Sequence, residues 1–183
     1  GDGVFQKVKA AVLARDPDDD TSVMVQMVLT AQNHSGLEEF IEEVREWPIS
    51  GVAFTFYVPR ANDDTGLAWD DLADRDPVID RLIAAKKKDP NLVKANVGTL
   101  ELMYSDRCLE YTGENGENCL MGSTLPLYMG DGGRFERTFC CFGNDVDCSH
   151  CGGYVVFNSA YHKQIKGEGE YHHRSRYFSK PKP

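Results

Sequence analysis

With 183 residues, 41% of them hydrophobic, the chain is long and apolar enough to bury a core as one domain or two small ones. Its 29 Asp and Glu against 20 Lys and Arg give a net charge of −9, which argues against a nucleic-acid partner because no basic face is available to displace counterions from phosphates. No run of eighteen apolar residues and no charged-then-apolar leader occurs, so the sequence predicts neither a membrane span nor a signal peptide, and a cytoplasmic, reducing setting is expected.

Val4, Phe5, Val8, Val12 and Leu13 recur at helical spacing ahead of the breaker run Asp16-Pro17-Asp18-Asp19-Asp20, which predicts a short amphipathic helix. Residues 22–30 form a nearly continuous apolar run rich in β-branched side chains, as in a strand buried on both faces of a parallel sheet. A second helix follows. Ser35 is placed to cap it, Glu38 stands three residues later as in a capping box, and Leu37, Phe40, Ile41 and Val44 make its apolar stripe. Residues 51–58, halted by Pro59, read as another buried strand. The order is α-β-α-β, which predicts an α/β fold with a parallel sheet, a right-handed crossover and covering helices. Ligands in such sheets bind beyond the carboxyl ends of the strands, here residues 30–34 and 58–62.

Residues 60–76 are polar and acidic, a predicted loop with a short turn around Trp69. A third helix is expected from about Pro77 to Lys88, with Val78, Ile79, Leu82 and Ile83 on one face and Lys86-Lys87-Lys88 solvated at the end where cations suit the helix dipole. The pattern at residues 100–104 fits a short strand or a short helix equally. From Thr112 the composition shifts to glycine, asparagine and cysteine, with a hairpin-type turn at Asp131-Gly132-Gly133. A boundary between residues 97 and 112 divides the chain into units at 1–104 and 105–166. Residues 167–183, with His172-His173, lack the apolar content to pack and are expected to be flexible.

Five of the six cysteines fall in the second unit as Cys119, Cys140-Cys141 and Cys148-Ser149-His150-Cys151. In a reducing compartment such a group reads as metal-binding or catalytic before it reads as a disulfide framework. Thiolates are soft ligands that select iron–sulfur clusters, zinc or copper(I). An iron–sulfur cluster needs about four of them converging. The same number suits zinc, although a zinc ribbon shows two C-x-x-C knuckles and this sequence has one. Adjacent side chains diverge, so one of Cys140 and Cys141 is expected to be a ligand and the other to be packed. His150 points outward in such a turn unless it replaces a thiolate, and Cys108, beside Arg107, reads as a small buried side chain. A thiol-redox role for Cys148 and Cys151 is the weaker reading, because a strand rather than a helix is expected after Gly152-Gly153. The carboxylate runs Asp18-Asp19-Asp20 and Asp70-Asp71 have no patterned partner and read as solvated loops.

The segments from Gly3 to Val8, Val25 to His34 and Gly51 to Pro59, followed by Cys119-Leu120-Met121-Gly122, Asp131-Gly132, Phe139-Cys140 and Cys148-x-x-Cys151, resemble the later part of a radical S-adenosylmethionine enzyme and its SPASM or twitch extension. The resemblance implies a partial parallel (β/α) barrel followed by a small cysteine-rich, loop- and hairpin-rich domain. It implies an auxiliary [4Fe–4S] cluster on Cys119, Cys140 or Cys141, Cys148 and Cys151, and S-adenosylmethionine near Thr30, Gln32 and Asn33, with Tyr57 and Arg60 lining a cofactor or substrate cavity. The C-x-x-x-C-x-x-C motif of the family's S-adenosylmethionine-cleaving cluster is absent from these residues. The expectation is therefore the carboxyl-terminal half of a longer enzyme, whose partner is the missing amino-terminal half and whose catalytic residues and substrate are unknown. The alternative is a zinc-stabilised binding module without redox chemistry.

Overall fold

The computed structural model describes residues 3–16, 18, 20–121, 127–129, 135–137 and 146–165. Helix α1 (Val4–Leu13), strand β1 (Met24–Leu29), helix α2 (Leu37–Arg45), strand β2 (Gly51–Phe56) and helix α3 (Asp76–Lys88) occupy the segments whose periodicity predicts them. Two short helices follow, α4 (Val97–Glu101) and α5 (Cys108–Thr112). Asn96 decides the ambiguous stretch before residue 104 in favour of helix: its side-chain oxygen accepts from the Thr99 amide at the start of α4. Strands β3 (Leu127–Met129) and β4 (Phe135–Arg137) pair antiparallel around the predicted turn at 131–133, which lies outside the described residues, as does the tail after residue 165.

β1 and β2 run parallel in the register Val25↔Val52, Met27↔Phe54, Leu29↔Phe56. These six side chains share one face, and α2 packs on it through an edge-to-face contact between Phe40 and Phe54 at 6.2 Å. Phe5 of α1 extends the aromatic group to Phe40 and Trp47. On the other face Met24 and Val28 stay exposed, 39% and 43%, so β1 is a half-covered edge rather than a strand buried on both sides.

The expected partial barrel is not formed. The parallel sheet has two strands and is not closed. A barrel needs a further strand on the free edge of β2, and loop backbone takes that place. Val52 makes a single parallel bridge to Val93, and the Phe56 amide donates to the Gly152 carbonyl at 2.9 Å. Those bonds satisfy the β2 edge without propagating a ladder. The architecture is mixed helix with one small parallel pair.

Two local expectations are also corrected. α2 has no side-chain cap; a 3₁₀ turn at His34–Gly36 leads into it, and Glu38 instead pairs with Arg81 of α3. The segment after Gly153 is helix α6 (Tyr154–Ala160), not a strand. Its β-branched and aromatic residues suit either element, and tertiary contacts choose. Val156, Phe157 and Ala160 enter the core, the Thr99 hydroxyl bonds Asn158 at 3.2 Å, and the Tyr154 hydroxyl accepts from the Asn96 amide at 2.7 Å.

At Gly152 two segments of backbone approach closely, since a Cβ there would lie 2.4 Å from the Tyr57 carbonyl oxygen and 2.5 Å from the Phe56 Cβ. At Gly153 the nearest atom would be 3.5 Å away. Gly152→Ala is expected to destabilise the fold by about 1–3 kcal/mol, as overpacking against fixed backbone does, and Gly153→Ala to be close to neutral. Urea unfolding midpoints of the two variants check this; equal midpoints contradict it.

Candidate metal centre

The turn that carries Cys148 and Cys151 is built on the carboxyl end of β2. The Asp147 amide donates to the Pro59 carbonyl at 3.0 Å, and the Gly152 carbonyl accepts from both the Phe56 amide and the Thr55 hydroxyl. Thr55 Oγ1 in turn accepts from the Tyr154 amide at 3.1 Å, so one hydroxyl joins strand, turn and α6. Within the 3₁₀ turn Cys148–His150, the Asp147 carboxylate accepts from the Ser149 amide at 3.0 Å and the Ser149 hydroxyl at 2.5 Å. Its second oxygen faces His150 Nδ1 at 2.9 Å. A carboxylate only accepts, so the proton in that contact sits on Nδ1 and a neutral imidazole keeps Nε2 as its acceptor nitrogen. Burial pushes the Asp147 carboxyl up, but Ser149 and the His150 ring outweigh it and hold the group below its ordinary value.

The thiols form two neighbouring groups. Cys119 lies close enough to Cys148 to disfavour a second negative charge there; burial is the larger cause, and Asp147 and Glu117 add to it, so the Cys148 thiol is pushed up. Arg75 donates to the Cys151 carbonyl, the Cys108 and Cys151 thiols lie within its electrostatic reach, and α5, which begins at Cys108, packs against the 148–150 turn. Burial also raises the Cys108 thiol, with Arg75 working in the opposite direction. No disulfide joins Cys108, Cys119, Cys148 and Cys151 to one another.

Arg75 itself is 1% exposed. It donates to the carbonyls of Met103 at 2.7 Å and Cys151 at 3.1 Å and lies over the Phe56 ring at 5.3 Å, while its Nε is buried with no acceptor. Sequence reasoning missed Arg75; it read Cys108 as a small buried side chain, which it is, without placing it near the guanidinium. Between Asp74 and Asp76 in an acidic stretch, Arg75 looks like a solvated ion-pair partner; for Cys108 the only signal was that it is a sixth cysteine.

The thiols are soft donors of the type that a thiolate-held group uses. Among the described residues, however, no three His, Cys, Asp or Glu side chains are arranged to hold a metal ion. Cys140 and Cys141 lie outside the described residues.

The residues expected near S-adenosylmethionine close a local turn. Thr30 Oγ1 accepts from the amides of Gln32 and Asn33, Asn33 Oδ1 accepts from the Thr30 amide, and Asn33 Nδ2 donates to the Val28 carbonyl. Gln32 Nε2 donates to the carbonyls of Thr65 and Gly66. Tyr57 lies next to the cysteine turn, its carbonyl against Gly152. Arg60, Trp69, Asp147 and His150 line a cavity of about 230 Å³ there, beyond the carboxyl end of β2. No known protein family, curated protein or solved structure matches the chain. Among the described residues no helix is long and apolar enough to cross a membrane.

Asp147→Ala is expected to cost about 0.5–2 kcal/mol, the range for losing a cap, read as a lower urea midpoint. Because the folded carboxyl titrates below its ordinary value, its contribution is complete above that ordinary value and is lost as pH falls through the lowered one. The difference between wild type and variant should therefore be constant from neutral pH down to the carboxylate range and close below it; a difference that grows on acidification counts against the assignment.

Proposed function

We propose that this chain is the cysteine-bearing, carboxyl-terminal portion of a radical S-adenosylmethionine enzyme, in which Cys119, Cys148, Cys151 and one of Cys140 and Cys141 hold an auxiliary [4Fe–4S] cluster. The observation that carries the reading is the turn of Cys148 and Cys151, fixed by backbone bonds to the end of a parallel strand, with Cys119 near enough to help raise the Cys148 thiol. When bound, the cluster supplies a site that relays an electron or ligates substrate.

The chain's own residues orient the donors. Asp147 caps the turn, and Gly152 allows it to approach β2 closely enough for the Phe56 bond. Arg75 ties the Cys151 carbonyl to the end of the α4 segment at Met103. The thiols suit a reducing cytoplasm, and the raised Cys148 thiol argues against a thiol-exchange role, which needs a thiolate near neutral pH. S-adenosylmethionine and the missing amino-terminal portion enter this reading through the resemblance alone, which assigns Thr30, Gln32, Asn33 and Tyr57 to the cofactor. The substrate class stays open.

Purified without oxygen and reconstituted with iron and sulfide, the chain is expected to take up about four irons, absorb broadly near 400 nm and bleach with dithionite. Cys148→Ser and Cys151→Ser should each lose most of that absorption. A colourless protein that binds one zinc and ignores dithionite would replace this reading with the zinc-stabilised module.

A further inference from the structure

The cavity of about 230 Å³ beyond the carboxyl end of β2 has in its lining acceptors with capacity to spare. Asp63 Oδ1 accepts from the Thr65 amide at 3.1 Å, whereas Asp63 Oδ2 is buried with no hydrogen-bond partner. Burial pushes that carboxyl up, but Thr65, the Tyr57 hydroxyl and Arg60 outweigh it and hold the group below its ordinary value, so it is ionised at neutral pH. Asp70 adds a second, exposed carboxylate, and His150 adds Nε2, the ring nitrogen that Asp147 does not engage. The buried Trp69 indole, held against Phe56 at 5.6 Å, forms an apolar wall. Arg60 is the one permanent cation among the described lining residues; it is exposed and forms no salt bridge with either carboxylate.

We propose that this cavity binds a small organic cation, a primary alkylammonium group, with Asp63 and Asp70 as its counter-charges and the Trp69 indole beside it. A buried carboxylate oxygen without a donor is unfavourable, and an ammonium brings both the missing N–H and the opposite charge. Its three donors diverge, which matches single acceptors on separate residues, and an aromatic ring attracts a desolvated cation. A bare metal ion matches less well, because among the described residues no three His, Cys, Asp or Glu side chains are arranged to hold one. The volume falls below the ~300–1,000 Å³ of sites for drug-sized ligands, so the carbon body is short. None of the described thiols lines the cavity, and the inference stands apart from the cluster reading.

The test is isothermal titration of the full chain with n-butylammonium chloride, with tetramethylammonium chloride, sodium butyrate and magnesium chloride compared at matched ionic strength. Butylammonium is expected to bind one per chain and to saturate below about 10 mM, and butyrate not to bind. Tetramethylammonium, which carries the charge without N–H donors, should bind at least about tenfold more weakly, and Asp63→Asn, which keeps an Oδ1 acceptor for Thr65, should weaken butylammonium by a similar factor. The inference is overturned by an absence of saturable butylammonium binding, by unchanged affinity in folded Asp63→Asn, or by tetramethylammonium, butyrate or magnesium binding as tightly as butylammonium. If Asp63→Asn does not fold by circular dichroism, nuclear Overhauser contacts from the butyl protons to wild-type chain decide. Contacts to Trp69 support the inference; contacts to Trp47 alone, which packs on Phe5, or to neither indole overturn it.

Discussion

A single buried guanidinium holds together the parts of this molecule that matter for its chemistry. Arg75 closes the acidic segment after β2, reaches the carbonyl of Met103 beyond α4 and the carbonyl of Cys151 in the cysteine turn, and rests on Phe56 at the end of β2. Four stretches distant in sequence meet on one side chain. The aromatic contacts continue outward from it, Phe56 to Trp69 at 5.6 Å and Trp69 to His34 at 6.1 Å, to the turn that follows β1. Hydrogen bonds from a charged donor contribute about 1.5–3 kcal/mol each, while desolvating an ion costs several. Burial accordingly draws the guanidinium below its ordinary value, with Cys108, Cys151 and Asp76 opposing that shift. The two carbonyls therefore hold Arg75 in place more than they compensate it.

The same junction explains why the sheet stops at two strands. An extending parallel sheet would present the free edge of β2 to a third strand. Here the Gly152 carbonyl and the 92–94 backbone occupy that edge, and the glycine at 152 is what lets the turn come so near. Site and sheet edge are thus one structural solution. The backbone bonds that complete β2 are the bonds that orient the cysteines, and the fold gives up lateral growth to present them.

Much of the secondary structure was legible because it depends on local pattern. The apolar stripe of α2, the continuous run of β2 and the proline-started α3 each report their element without needing a partner. What failed depended on contacts distant in sequence. β1 has the composition of a doubly buried strand but lies at an edge, since nothing in Met24 or Val28 specifies what covers them. Tyr154, Val155 and Val156 look like strand formers yet wind into α6, because the space between α4 and β2 receives a helix. The cysteine turn was readable from its spacing; Arg75 was not, because its acidic neighbours describe a surface and only the tertiary fold makes it an interior.

Charge and burial act against each other at Cys108 and together at Cys148, and the balance bears on what the thiols are for. Desolvation raises both Cys108 and Cys148, and for Cys148 the adjacent Cys119 and Asp147 strengthen the effect. For Cys108 the neighbouring guanidinium does not reverse it. Thiols above their ordinary value are protonated at neutral pH and are poor nucleophiles, so this environment does not activate a thiol for exchange. A metal ion changes the balance, because direct coordination deprotonates a thiol whatever its surroundings prefer.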